Sequence, residues 1–320
     1  MSNIKDIAKL AGVSITTVSR VLNNHPYVKD EKRKKVLQVI EELNYQQNVN
    51  AIHLVKGKTF MLGVILPYAD HPFFQSIVGG IIQAAASNKI AVVICPTNYS
   101  QIEELKYLEM LKKKQVDGII ICSRANKWEV ILPFAEYGSL VACELTEEIS
   151  CAYTDHYDAF SSALNFLIEK GHKSIGYSVA RIDSTSSKTR FSAYHDVLTK
   201  NNLPINESFI FSDCLDIEDG KRIVKELIRL KERPTALLVT GDGVAAGVLL
   251  QAKVEGIHVP DELSIIGFDN QPFSEALELT TIDQHLKEIG ETAFDLFLHG
   301  KQQKICVPFE MVVRKTVSKL

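Results

Sequence analysis

No stretch of this 320-residue chain stays apolar long enough to cross a membrane; the longest candidates are broken by glycine, proline or charge. Near the start, Lys5 and Asp6 interrupt any apolar core, so no secretory leader and no membrane partner are expected, and a cytoplasmic location is. The six cysteines, Cys95, Cys122, Cys143, Cys151, Cys214 and Cys306, include no C-x-x-C pair. Most lie in apolar, strand-like runs, so buried free thiols are expected rather than a disulfide framework or a zinc site. Neither H-E-x-x-H nor G-x-x-x-x-G-K-[ST] occurs. His25, His71, His172 and His285 are scattered and read as structural, and no nucleophile–base pair stands out. No catalytic residue, metal or cofactor is therefore expected. Excess charge is also small, a net of −3, but it is unevenly spread.

Residues 1–58 carry ten Lys/Arg against five Asp/Glu, a net of +5, and the remainder carries 26 against 34, a net of −8. A basic end on an acidic body suits one end held against a polyanion and the body held off it. That basic end has a characteristic spacing. Ala8 is small enough for close helix packing, and Gly12 follows four residues later, where a sharp turn favours glycine. Val18 comes six residues on, with Val21 and Leu22 beside it on an inner face. Ile15, Thr16 and Arg20 then point outward, as base-reading side chains of a helix-turn-helix do. Taken alone, the spacing also fits a short amphipathic hairpin in some other α-protein.

Three helices are expected in residues 1–45. The first starts near Lys5 with Asn3 as N-cap and Asp6 three residues later, and the second follows Ser14. The third spans roughly Asp30 to Leu43, with Val36, Leu37, Ile40 and Leu43 as its stripe and Lys32, Arg33 and Lys34 facing out. Residues 46–59 read as a linker, too polar and short to hold a helix without a partner. From Met61 onward apolar strands alternate with amphipathic helices. Strands are expected near Met61–Leu66, Ala91–Ile94, Gly118–Ile121, Leu140–Cys143, Ser174–Val179, Ala236–Val239 and Leu263–Phe268, and the later helices near Asp158–Lys170, Ile217–Leu230 and Val244–Glu255. Such runs mean parallel, doubly wound sheets covered on both faces. Their length fits two similar lobes with a cleft, ligands binding beyond the C-terminal strand ends. The expected division of residues 60–320 is about 60–156 plus 287–320 in one lobe and 157–286 in the other.

Seven segments, in order over most of the chain, resemble motifs of the LacI/GalR family of bacterial transcriptional regulators. They are Ile4–Asn23; Leu43-Asn44-Tyr45 with Asn48 and Ala51; Gly63-Val64-Ile65 followed by Pro72-Phe73-Phe74; Val116-Asp117-Gly118-Ile119-Ile120; Lys170-Gly171-His172 with Ile175; Val259-Pro260-Asp261 through Ile266-Gly267-Phe268-Asp269; and Leu279-Thr280-Thr281. The resemblance implies a helix-turn-helix headpiece, a hinge helix and a two-lobed sensor like a periplasmic binding protein. It implies a homodimer reading a palindromic operator in double-stranded DNA, most simply as a repressor of sugar-utilisation genes. The chain ends at Leu320 without a leucine-rich heptad tail, so a dimer is expected over a tetramer.

Carried over residue by residue, the DNA-contacting set is Asn3, Ser14, Ile15, Thr16, Thr17, Ser19, Arg20, Asn23, His25, Tyr45, Asn48 and Leu54. Leu54 matches the family's minor-groove wedge, although packing on the sensor would also explain it. The hinge departs from the family at Gln47, usually Pro, at Asn50, usually apolar, and at Ile52, often Arg. The implied effector set is Phe73, Phe74, Glu144, Ser184, Ser186, Arg190, Leu215, Asp242 and Asp269. Arginine and carboxylates suit the vicinal hydroxyls of a sugar or sugar phosphate, and an aromatic ring suits its C–H face. Phe73 equally suits lobe core. Two other readings remain: regulation mainly through a protein partner, and a sugar or nucleotide enzyme. The glycine run Gly241, Gly243 and Gly247 has G-x-G-x-x-x-G spacing, not the dinucleotide-binding one, and is read as close helix–strand packing.

Overall fold

The computed structural model describes residues 3–45, 57–300 and 302–320. The chain divides at residue 59 into two compact units. The first contains α1 (Ile4–Ala11), α2 (Ile15–Leu22) and α3 (Asp30–Glu42). Asn3 Oδ1 accepts from the backbone N–H of Lys5 and Asp6, and the Asp6 carboxylate accepts from Asn3 N at 3.0 Å, closing a capping box. Gly12, at φ 64°, ends α1 in the left-handed region where a side chain would be strained. Ser14 Oγ then accepts from Thr17 N and starts α2. Ile7, Val18 and Val36 are fully buried between the three helices. Each burial of this kind contributes roughly 1.5–3 kcal/mol, which matters because helices this short are not stable alone.

Leu37 is a correction to the expected stripe: it is 49% exposed, and Val39 is buried instead. At 100° per residue Leu37 lies a quarter-turn off the Val36–Val39–Ile40–Leu43 face. Arg33 also does not simply face out. Its guanidinium donates to Asn24 Oδ1 at 3.0 Å and to the His25 carbonyl at 2.6 Å, pinning the loop that follows α2.

The second unit is two α/β lobes. The first lobe's strands are β1 (Met61–Leu66), β2 (Ala91–Pro96), β3 (Gly118–Ile121), β4 (Ser139–Ala142), β5 (Ser150–Tyr153) and β11 (Lys304–Cys306). They are covered by α4 (Pro72–Ser87), α5 (Gln101–Lys112), the short α6 (Trp128–Ile131) and α12 (Leu286–His299). The second lobe's strands are β6 (Ile175–Ser178), β7 (Ile210–Phe211), β8 (Ala236–Leu238), β9 (Ser264–Phe268), β10 (Thr280–Asp283) and β12 (Glu310–Val312). Its helices are α7 (His156–Glu169), α8 (Thr185–Lys200), α9 (Ile217–Leu227), α10 (Asp242–Val254) and α11 (Pro272–Ala276).

The sheets run β11-β5-β4-β3-β1-β2 and β12-β10-β9-β8-β6-β7. The two orders are the same, and all pairings are parallel except β10 with β12. Strand order reverses beside β1 in one lobe and beside β6 in the other, which places a crevice at the C-terminal end of each sheet. Central strands are buried on both faces, as in β3 and β9, so their sequences read as unbroken apolar runs.

The chain passes between the lobes three times, at 154–155, 284–285 and 307–309. The third passage corrects the expected division, which kept 287–320 in the first lobe. β12 pairs with β10, the Leu320 N–H donates to the Lys170 carbonyl, and His172 Nε2 meets the Ser318 carbonyl at 3.3 Å. Residues 310–320 therefore belong to the second lobe. The glycine run is also corrected: Gly247 packs helix on helix, α10 on α9, against Gly220. Gly80 of α4 and Gly290 of α12 make the equivalent close approach in the first lobe. All six cysteines are free; Cys306 is exposed on the edge strand β11, contrary to its expected burial.

Among the described residues no helix is long and apolar enough to cross a membrane. No group of three or more His, Cys, Asp or Glu among them is placed to hold a metal ion.

Candidate functional site

The outward face of α2 carries Ile15, which is 46% exposed, with Thr16 and Arg20 exposed beside it. Thr16 and Arg20, four apart, share one face. Other residues of the expected DNA-contacting set are engaged locally. Asn3 caps α1, Ser14 Oγ and Thr17 Oγ1 pair at 2.9 Å, and Asn23 Nδ2 donates to the Ser19 carbonyl at 2.8 Å. Tyr45 packs against the three-helix core. His25 is exposed, its ring 5.6 Å from that of Tyr27, which is 85% exposed and which sequence reasoning did not select. Asn48 and Leu54, like Gln47, Asn50 and Ile52, lie outside the described residues.

In the second unit a cavity of about 300 Å³ lies between the lobes, beyond the C-terminal ends of their strands. Eight of the nine expected effector residues line it: Phe73, Phe74, Glu144, Ser184, Ser186, Arg190, Leu215 and Asp269. Phe73 and Phe74 meet edge to face at 5.0 Å, and Phe74 also belongs to the first lobe's core. Ser184 caps α8 and bonds the hydroxyls of Ser186 and Ser187.

Asp242 is the exception. It does not line the cavity, and its carboxylate is fully buried behind it. It accepts from Gln271 N at 2.8 Å, Ser274 Oγ at 2.6 Å and Thr281 Oγ1 at 2.7 Å. As the first residue of α10 its side chain turns back into the second lobe, where three donors hold it.

Arg190 and Asp269 set the electrostatics of the cavity. Arg190 is 8% exposed, and its guanidinium lies 4.4 Å from the centroid of the Phe268 ring. Its sole hydrogen-bond partner among the described residues is His156 Nδ1, 3.3 Å from Nη2; the buried Nε has none. Burial pushes the Arg190 guanidinium down to about 10, and the nearby Asp269 charge partly opposes this. Asp269, at φ 107°, accepts from Gln284 Nε2 at 2.6 Å. Burial, then the Asp242 charge, holds its carboxyl well above the usual range. Glu144 is raised by burial too, against the pull of Arg124, whose Nε donates to it at 2.7 Å.

His156 is held well below its ordinary 6.5, first by burial and then by the Arg190 charge. It is therefore neutral, with Nδ1 as acceptor and the proton on Nε2. The folded value is depressed, so the stability it contributes is present above pH 6.5 and is lost as pH falls toward the folded value. His156→Gln is expected to lose less stability than the wild type on acidification from neutrality to about pH 5, the difference being at most about 1.4 kcal/mol per pH unit. Asp269 and Asp242, with raised values, favour the folded state as pH falls, but both proteins carry them and they cancel in the difference. Denaturant unfolding of both proteins across that range checks this; parallel profiles would reject it.

Several residues that bind the lobes together escaped sequence reasoning. Arg124 Nη2 donates to Thr185 Oγ1 at 3.3 Å across the cleft, and Arg181 Nη1 donates to the Arg124 carbonyl at 3.4 Å. The Arg181 guanidinium stacks 3.8 Å from the Tyr99 ring centroid. An internal repeat was the available signal for two more. His71-Pro72-Phe73 and Gln271-Pro272-Phe273 open helices in opposite lobes. His71 Nε2 reaches the Leu215 carbonyl at 3.1 Å, and Gln271 Oε1 lies 3.5 Å from Ser76 Oγ.

A helix-turn-helix unit and a two-lobed unit with a cleft, carried on one chain, define a DNA-binding regulator that senses a small molecule. Residues 3–48 match the family described as bacterial regulatory proteins, lacI family, and residues 59–309 match that of periplasmic binding proteins and the sugar binding domain of the LacI family. The chain belongs to the LacI family of transcriptional regulators. It is 42% identical over 309 residues to catabolite control protein B of Bacillus subtilis (strain 168), covering 95% of this chain and 97% of that one. The fold matches the lac repressor dimer bound to operator and the anti-inducer ONPF, with a TM-score of 0.89, 24% identity and 99% of each chain covered. It also matches a Lactobacillus casei LacI-family regulator with bound sucrose, with a TM-score of 0.74, 23% identity, and 80% of this chain and 99% of that one covered.

Proposed function

We propose that the protein is a cytoplasmic repressor that binds a palindromic operator as a homodimer and answers to a small sugar or sugar phosphate held in the cleft. The observation that carries the effector reading is Arg190: a buried cation with an unpartnered Nε, beside Asp269 and stacked on Phe268. A hydroxyl or phosphate oxygen satisfies the guanidinium, and a sugar hydroxyl also serves Asp269 as donor. The sucrose complex of the Lactobacillus casei regulator supports this ligand class.

On the DNA side, Arg20 suits a bidentate pair with guanine O6 and N7, and Ile15 or the Thr16 methyl suits a thymine methyl. Ser14, Thr17, Ser19, Asn23, His25, Asn3 and Tyr45, with Asn48 and Leu54, are proposed to complete the contact to backbone and minor groove. Arg20→Ala is expected to cost ~1–3 kcal/mol of operator binding and to relax preference at one base pair per half-site. An unchanged preference in a base-by-base binding scan removes that role.

The test of the whole reading is selection of bound DNA from a random pool, with and without glucose, sucrose and glucose 6-phosphate. A palindrome is expected, whose occupancy changes with one of the sugars. Binding should weaken as salt rises, with a log–log slope of about −7 for ~8 phosphate contacts. A non-palindromic product, or a palindrome indifferent to every sugar, rejects the dimer or the effector part respectively.

A further inference from the structure

Besides Arg190 Nε, one other side-chain atom in the wall of the cleft is buried and without a hydrogen-bond partner among the described residues: Gln271 Nε2. Gln271 is 5% exposed, and its backbone N–H is fixed on the buried Asp242 carboxylate at 2.8 Å. The residue after it is Pro272, which restricts its backbone further. The backbone is thus fixed in the wall of the cavity, and the side chain is almost wholly withdrawn from solvent.

Its Oε1 lies 3.5 Å from Ser76 Oγ in the opposite lobe, but the Pro72 carbonyl, at 3.1 Å, is the nearer acceptor for the single Ser76 proton. Turning the amide over would let Nε2 donate to Ser76 Oγ and would leave Oε1 over instead. In either orientation at least one atom of a buried amide in the cavity wall stays unsatisfied, an arrangement that costs free energy unless a ligand completes it. A hydroxyl group, donor and acceptor at once, completes both orientations; a phosphate or carbonyl oxygen completes one.

We propose that Gln271 is an effector-binding residue that reads a hydroxyl group of the ligand, while its other amide atom meets Ser76 across the cleft. One side chain then serves both the ligand and the bridge between lobes, so occupancy of the cleft and closure of the cleft are linked through a single amide. The His71 turn in the facing lobe, its counterpart in the repeat, spends its cross-lobe nitrogen on the Leu215 carbonyl. The proposal rests on the effector reading of the cleft, and the test separates the two.

The full chain is titrated calorimetrically with glucose, sucrose and glucose 6-phosphate at millimolar concentration, as wild type, Gln271→Met and Arg190→Ala, and each is melted without ligand. Methionine keeps the volume of glutamine and removes both polar atoms. Gln271→Met is expected to melt at or above the wild-type temperature, because an unsatisfied amide has gone, and to bind the sugar about ten-fold more weakly. A Gln271→Met protein that melts well below the wild type makes the amide a structural tie and overturns the proposal. So does unchanged sugar binding by Gln271→Met while Arg190→Ala has lost it, an outcome that leaves the cleft reading standing. If the wild type binds none of the sugars, or if Arg190→Ala binds as the wild type does, the cleft reading fails and the Gln271 proposal fails with it.

Discussion

Arg190→Ala is expected to abolish the effect of the sugar on operator binding. The guanidinium is the one full positive charge on α8 that faces the cavity from a buried position, and it has His156 Nδ1 as its sole hydrogen-bond partner among the described residues. Burial has already lowered its proton affinity to about 10, so its charge is held at a cost in the unliganded protein. A ligand oxygen between Arg190 and Asp269 offsets that cost, and losing such a buried charge-assisted contact weakens binding by about 3 kcal/mol, roughly two orders of magnitude. Coupling to DNA requires the effector to bind the two states of the regulator with different affinity. With the affinity removed, nothing remains to shift that equilibrium at working concentrations. Arg190→Lys is not expected to restore the response, because an ammonium lacks the planar fork and cannot stack on Phe268 in the same way. Operator retention measured against sugar concentration decides it: a retained response in either variant removes Arg190 from the effector site. Thermal unfolding of each variant checks that it folds, since loss of the stacking on Phe268 is worth only about 1 kcal/mol.

Gly247→Ala is expected to be among the most destabilising single-methyl additions in the chain. A Cβ there would stand 2.0 Å from the Ile217 carbonyl oxygen and 2.9 Å from the Gly220 Cα. Both obstacles are backbone of α9, so no rotamer change relieves them, and α9 and α10 must separate. A cost of about 3–5 kcal/mol is expected, against a total stability of about 5–15 kcal/mol for an ordinary domain. Gly243, one turn earlier on α10, supplies the control: a Cβ there meets nothing within 4 Å. Gly243→Ala should be neutral or stabilising by up to about 1 kcal/mol, from helix propensity alone. Urea unfolding of the two unliganded variants tests the pair, and equal effects would dismiss the packing account.

The parts of this protein legible in its sequence are those whose physics is local. The capping box at Asn3 and Asp6, the left-handed Gly12 and the Ser14 cap each satisfy backbone groups within four residues, so spacing announced the first two helices and the turn between them. Strands such as β3 and β9 are buried on both faces and their apolar runs stood out. Helix α8, by contrast, reads Thr-Ser-Ser-Lys-Thr-Arg-Phe-Ser, too polar to signal a helix, although it carries Ser186 and Arg190 to the cleft. Edge strands β11 and β12, three residues each, have too little pattern to place, and the division of the lobes was misjudged there. Within the cleft, Arg190 and Asp269 came from family likeness, not from spacing. Asp242 came from the same likeness, and it misled because three donors brought by distant segments turn its carboxylate inward. Gln271 and His156 were missed because their significance lies wholly in what other segments place beside them.

The three passages of the chain between lobes also set an order of assembly during synthesis. The first lobe's core takes Ile289, Ala293 and Phe294 from α12, and its sheet takes β11; the second lobe's sheet takes β12. Neither lobe can be finished until nearly the whole polypeptide has left the ribosome. Among the described residues the core of the first unit is drawn from Ile4 to Tyr45, so it can close early. A nascent chain therefore passes through a stage with a folded helix-turn-helix unit and no finished sensor lobes, and truncation by premature termination would yield that same species.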